Sequence, residues 1–98
     1  MAGYDWHDEK NEENIKKHKV SFEEAIAIFS DPLLRIANER SEDYSEDRFI
    51  ALGQSPSGLN LVVVFCEREI EGEEVIWIIS ARKQTPKEKR LLAELRLR

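Results

Sequence analysis

The stretch LNLVVVFCEREIEGEEVIWIISAR, residues 59–82, decides what this chain can fold into. It holds two apolar runs, 59–67 and 75–82, separated by the turn-forming EGEE at 71–74. Both runs are rich in β-branched and aromatic residues, and both are short for helices. Apolar residues follow one another without alternation, so both faces of each strand need cover. The reading is a β-hairpin at the centre of a sheet.

Working back from the hairpin, SPSG at 55–58 is a turn that joins it to RFIALG at 48–53. That strand alternates, with Arg48, Ile50 and Leu52 on one face. LLRIANE at 33–39 is a weaker strand, and the acidic run ERSEDYSED at 39–47 reads as a loop that could meet a basic partner. Ser21 and Glu24 form a capping box ahead of Phe22, Ala25, Ile26 and Phe29, which recur at helical spacing. This helix stops at Ser30-Asp31-Pro32, and another spans 8–18. YDW at 4–6 supplies a short edge strand.

Forward from the hairpin, Thr85-Pro86-Lys87-Glu88 places a cap, a proline at the first helical position and an acid two residues later. It opens a last helix with Leu91, Leu92 and Leu95 expected inward. The order is β-α-α-β-β-β-β-α, an α+β domain over residues 1–98. Its two N-terminal helices and one C-terminal helix are expected to pack on one face of a mainly antiparallel sheet.

The totals narrow the function classes. Ninety-eight residues hold one core. No apolar run approaches the roughly 20 residues of a membrane span, and no leader-like segment opens the chain, so a membrane role is not expected. The single cysteine, Cys66, allows no internal disulfide and sits in an apolar run as a core residue, which suits a reducing, cytoplasmic setting. A net charge of −5 argues against a general nucleic-acid binder or a DNA-binding regulator. The charge is unevenly spread, however. Residues 1–50 carry 7 basic and 13 acidic groups, while 80–98 carry 7 basic and 2 acidic ones. Such separation can focus a local positive field on an acidic protein.

No metal cluster is expected from two histidines, His7 and His18, and no phosphate-binding glycine loop or nucleophile elbow is present. Cofactors are therefore not expected. Cations and one imidazole remain. The first helix has a single apolar residue, Ile15, yet sets Lys10, Asn14, Lys17 and His18 on one face. An imidazole beside ammonium groups can move a proton while they hold a phosphate. Arg48 opens one strand and Arg82 closes another, where a guanidinium fork can reach a phosphate at the sheet rim. Trp6 and Trp77 could stack on bases, with core packing the simpler role. The basic C-terminal segment, with Lys83, Lys87, Lys89 and Arg90, is a candidate for RNA backbone contact.

These residues resemble a known family. YDWHDEKNEENIKKHKVSFEEA, residues 4–25, is similar without a gap to the opening of the BrnT-type toxins, matching at Trp6, Lys10, Asn11, Asn14, Lys17, His18, Val20, Phe22, Glu24 and Ala25. DRFIALG at 47–53 resembles the family's E-x-R strand, and IISARKQTPKEK at 78–89 its I-I-S-A-R-K block. The resemblance implies a RelE-like fold and a metal-independent endoribonuclease that inhibits translation. It also implies neutralisation by a BrnA-like ribbon-helix-helix antitoxin, with operator DNA bound only through that antitoxin. Carried over, the catalytic candidates are Lys17, His18, Arg48 and Arg82, and the RNA-binding candidates include Trp6 and Lys10. His18 would take a proton-transfer role and the arginines the phosphate oxygens.

Some positions depart from the pattern. Lys19 stands where the family has glycine, His7 where it has aspartate, Lys89 where it has arginine. Trp77 replaces an arginine and Leu92 a tyrosine. The last two raise an alternative: a catalytically weakened protein kept as an antitoxin-binding partner.

Overall fold

The hairpin closes through a two-residue loop, and the sheet is built outward from it. The computed structural model describes residues 3–39 and 47–96. β4 (Asn60–Ile70) and β5 (Glu73–Lys83) pair antiparallel, with Ile70 opposite Glu73. The loop residues Glu71 and Gly72 have φ of 51° and 82°. Positive φ at both loop positions matches the twist of the strands and fixes their register. β3 (Arg48–Gln54) lies against β4, and β2 (Arg35–Glu39) forms one edge. On the far side β1 (Gly3–Asp5) runs parallel to β5, giving the order β1-β5-β4-β3-β2. The result is an α+β fold of three α-helices on a mostly antiparallel five-stranded sheet.

The core lies on one face. Ala51, Leu61, Val63, Phe65, Ile78 and Ala81 point into it and meet Val20, Phe22, Ala25 and Ile28. Ile78 and Ala81 are three residues apart, so strict alternation would send them to opposite faces. A register shift restores both: Phe65 pairs with Ile78 but Val64 pairs with Ser80, leaving Ile79 as the extra residue of a β-bulge.

α1 (Asp8–His18) and α2 (Phe22–Ile26) cover this face, α2 starting at the expected Ser21–Glu24 capping box. The second helix then tightens into a 3-10 turn over Ala27–Ser30. Three residues per turn replace 3.6, so the buried row becomes Phe22, Ala25 and Ile28. Ile26 and Phe29, expected in that row, are left partly exposed at its margin.

α3 (Pro86–Arg96) corrects the expectation that all helices share one face. Its buried Leu92 borders a groove of about 290 Å³ with Leu91, Glu88, Leu52, Arg35, Ile36 and Ala37. Leu52 alternates with Ala51 and Gly53, and a Cβ on Gly53 would meet Ile28 and Leu34 on the core side. Leu52 and α3 therefore belong to the opposite face. The reason is in β4 itself: Val62 and Cys66, which alternate with the core residues, are also buried. Leu91 is 56% exposed and does not face inward as expected. The side chain of Leu95 and residues 40–46 of the acidic run lie outside the described residues.

Candidate active site

α1 is fastened to the sheet by amides. Its one apolar residue, Ile15, is 41% exposed and contributes little burial. Asn14 is buried instead, and its Nδ2 donates to the carbonyls of Val20 (2.9 Å) and Ala81 (2.8 Å). The Ala81 N–H donates back to Asn14 Oδ1 at 3.2 Å. β1 pairs with β5 only as far as Trp77, so the edge beyond it has no strand partner among the described residues. Asn14 supplies there the donor and acceptor that a neighbouring strand would offer. Asn11 adds a second tie, accepting from the Phe22 N–H and donating to Glu23, each at 2.8 Å.

The turn between the two ties needs a left-handed residue. Lys19 takes it, with φ 61° and ψ 28°, and its N–H donates to the Ile15 carbonyl at 2.9 Å. This is the position where the family resemblance expects glycine, and a lysine occupies it at some conformational cost.

Fastened by neutral groups, α1 turns its cations toward two adjoining clefts. The larger, about 340 Å³, is lined by His7, Lys10, Arg48, Arg68, Trp77, Ile78 and Ile79. The smaller, about 200 Å³, is lined by Lys10, Glu13, Asn14, Lys17, His18, Ile79 and Ser80. Lys10 and the bulged Ile79 belong to both. The one carboxylate, Glu13, lies 3.5 Å from Lys10 Nζ in an exposed i,i+3 pair. In the larger cleft the Arg68 guanidinium carbon lies 4.5 Å from the Trp77 ring centroid. The His7 ring approaches the same indole edge-on at 6.0 Å.

Of the candidates read from sequence, Lys10, Lys17, His18 and Arg48 thus come together. Arg82 does not join them. It lines neither cleft, and its Nη1 and Nη2 donate to the two carboxylate oxygens of Glu88 at 2.8 and 2.9 Å. The Arg82 guanidinium is thereby held protonated more firmly than usual, chiefly by that hydrogen bond. Glu88 is pulled down to about 2 by the Arg82 hydrogen bonds, helped by the Thr85 N–H donating at 2.8 Å. The expected phosphate ligand is thus engaged in fixing the start of α3.

Trp6 is also displaced from its RNA-binding expectation, since its ring packs edge-on against Phe22 at 6.0 Å beside the core. Lys83, Lys87, Lys89 and Arg90 are exposed but line neither cleft. Leu92 is buried in the packing of α3 and lies in neither cleft. Among the described residues no group of three or more His, Cys, Asp or Glu could hold a metal, and no helix is long and apolar enough to cross a membrane.

The sequence reading missed His7 and Arg68, and offered Trp77 as a base-stacking residue with core packing as the simpler role; the structure sets it in the lining of the larger cleft. Helical spacing was the available signal for His7, which precedes Lys10, Asn14 and Lys17 by three, seven and ten residues. For Arg68 it was the hairpin register, which sets Cys66 opposite Trp77 and Arg68 on the same face.

Comparison with known proteins matches the sequence of residues 6–88 to the family "Ribonuclease toxin, BrnT, of type II toxin-antitoxin system". The chain belongs to the BrnT family. A similar fold occurs in the crystal structure of the Brucella abortus ribonuclease toxin BrnT, with a TM-score of 0.57 and 22% identity over 87% of this chain and 97% of that one. No curated protein sequence matches significantly. BrnT membership makes RNA and an antitoxin the partners of the class.

Proposed function

We propose that this protein is the toxin of a type II module, a RelE-like, metal-independent endoribonuclease that acts in the cytoplasm and inhibits translation by cutting RNA. The observation that supports this most is the pair of adjoining clefts, lined by four cations and two imidazoles against one carboxylate. A phosphodiester bound at Lys10, which lines both clefts, would have Lys17 and His18 in the cleft on one side and Arg48 in the cleft on the other. Cleavage without a metal needs a base for the 2′-OH, an acid for the leaving 5′ oxygen and cations for the phosphorane. His18 moves one of those protons, and Lys10, Lys17 and Arg48 carry the charge. His7 and His18 stand at opposite ends of α1, about 16 Å apart at 1.5 Å per residue. They therefore do not serve one phosphate as a pair. Arg82 acts indirectly, by positioning α3 through Glu88.

The antitoxin in this reading is a BrnA-like ribbon-helix-helix protein, through which alone the pair touches operator DNA. The test is induced expression in a bacterial host with RNA analysed alongside growth. Growth arrest and RNA cleavage are expected from the unaltered chain. His18→Ala should slow cleavage by about 10²- to 10⁴-fold, and Arg48→Ala by about 10²- to 10³-fold. The engagement of Arg82 by Glu88 and the replacement of an arginine by Trp77 favour a second reading, a weakened nuclease retained for antitoxin binding. Unaffected growth together with intact antitoxin binding would establish that reading over the first.

A further inference from the structure

Cutting a phosphodiester in one step moves two protons, and His18 carries one of them. We propose that Glu13 is the catalytic base that takes the proton of the 2′-OH, with His18 as the acid that protonates the departing 5′ oxygen. The inference rests on the ribonuclease reading above and deepens it.

The smaller cleft holds two side chains that can exchange a proton in these roles. As ammonium groups Lys10 and Lys17 only donate, and both polar atoms of the Asn14 amide are engaged with backbone. β5 brings only the uncharged Ile79 and Ser80 to the lining, so Glu13 and His18 remain. Their placement suits a shared phosphate. At 3.6 residues per turn they stand about 140° apart around α1, with Lys17, Lys10 and Asn14 between them. Five residues of helix set their Cα atoms about 9 Å apart. A phosphorane held by Lys10 and Lys17 therefore lies between the two groups. In-line displacement needs that order, because the attacking and leaving oxygens stand on opposite sides of phosphorus.

The direction of transfer follows from an ion pair. Glu13 Oε2 lies 3.5 Å from Lys10 Nζ, so Glu13 enters the reaction as an anion that can only accept. It takes the 2′-OH proton as the 2′ oxygen bonds to phosphorus, and the His18 imidazolium gives up its proton as the P–O5′ bond breaks. The products are a 2′,3′-cyclic phosphate and a free 5′-OH, and solvent returns both side chains to their starting forms. The charged groups one turn from Glu13 on its side of α1 are Glu9, Lys10, Lys16 and Lys17.

The test uses the full chain and DNA oligonucleotides that each carry one ribonucleotide, A, C, G or U. Oxygen or sulfur serves as the bridging 5′ atom of the bond to be cut, and a thiolate leaves without needing a proton. Glu13→Gln should slow cleavage of the oxygen substrates by about 10²- to 10⁴-fold. It should also remove the acid limb of the pH–rate profile and stay slow with sulfur, while Glu13→Asp keeps part of the rate. His18→Ala should lose the alkaline limb and recover with sulfur. Glu13 is exposed and its ion pair adds little to stability, so these changes report on chemistry rather than folding. An unchanged pH profile in Glu13→Gln, or its recovery with sulfur, would overturn the base role and leave the ribonuclease reading standing. No cleavage of any substrate by the unaltered chain would overturn both.

Discussion

α1 meets β5 through the neutral amide of Asn14, and α3 meets it through the charged fork of Arg82 and Glu88. Both ties are made to residues of the same strand, Ala81 and Arg82. The difference lies in what each attachment leaves over. An amide that pairs with backbone takes no charge out of circulation, so Lys10, Lys17 and His18 remain available to the clefts. A guanidinium committed to a carboxylate is largely unavailable to a phosphate. One helix is built to present cations, the other to hold position.

The comparison breaks most sharply at Asn14. Asn14→Leu leaves the Val20 carbonyl and both backbone groups of Ala81 without partners in a buried place. A loss of about 3 kcal/mol is expected in urea unfolding, since each orphaned group costs about 1–3 kcal/mol. A change below about 1 kcal/mol would mean that burial, rather than pairing, fastens α1.

Next in size are the cations themselves. Lys10→Gln and Lys17→Gln should each reduce the salt dependence of RNA binding, by about 0.7 in the log–log slope for single strands. Neutralising Lys87, Lys89 and Arg90 together should change it less, because none of them lines a cleft. An equal or larger effect from those three would move the RNA path onto α3.

Acid separates the two attachments directly. The Glu88 carboxyl is lowered from 4.5 to about 2, so its stabilising contribution is complete above 4.5 and fades as pH falls toward about 2. Asn14 does not titrate. Amide exchange or NMR followed through this window should show α3 loosening while α1 stays attached. Glu88→Gln at neutral pH should cost about 1 kcal/mol or less, since the pair is partly solvated. Simultaneous release of both helices would remove the distinction.

The smallest effect is expected at Lys19. Its left-handed backbone is one a glycine adopts freely, so Lys19→Gly should stabilise by about 0.5–1 kcal/mol in thermal unfolding. No gain would indicate that the lysine side chain makes up for its backbone.

Much of this architecture was legible in residues because it rests on local rules. The hairpin loop, the Ser21–Glu24 box and the Thr85–Glu88 cap are short-range chemistry, and each stands where the sequence places it. What was not legible depends on pairing across the chain. Asn14 reads as one polar residue among several until Ala81, 67 positions later, is set beside it. Arg82 has the position of a phosphate ligand until Glu88 closes on it. The side on which α3 lands follows from the second buried face of β4, a property of the assembled sheet. Trp77 lies in a largely apolar strand, yet it lines a cleft, at the point where the pairing of β1 with β5 ends.

The bulge at Ile79 has a further consequence. Every other residue of β5 has a fixed partner on β4, whereas Ile79 is supernumerary to the ladder. Deleting it would leave each of those pairs intact, with Ile78 still opposite Phe65 and Ser80 still opposite Val64. It would also take away the wall that the two clefts share. The sheet thus carries an adjustable spacer, one residue whose presence sets the distance between the two clefts without any claim on the fold's pairing. Variation in the spacing of the clefts has a route through strand length at that single point, separate from any change in the residues that line them.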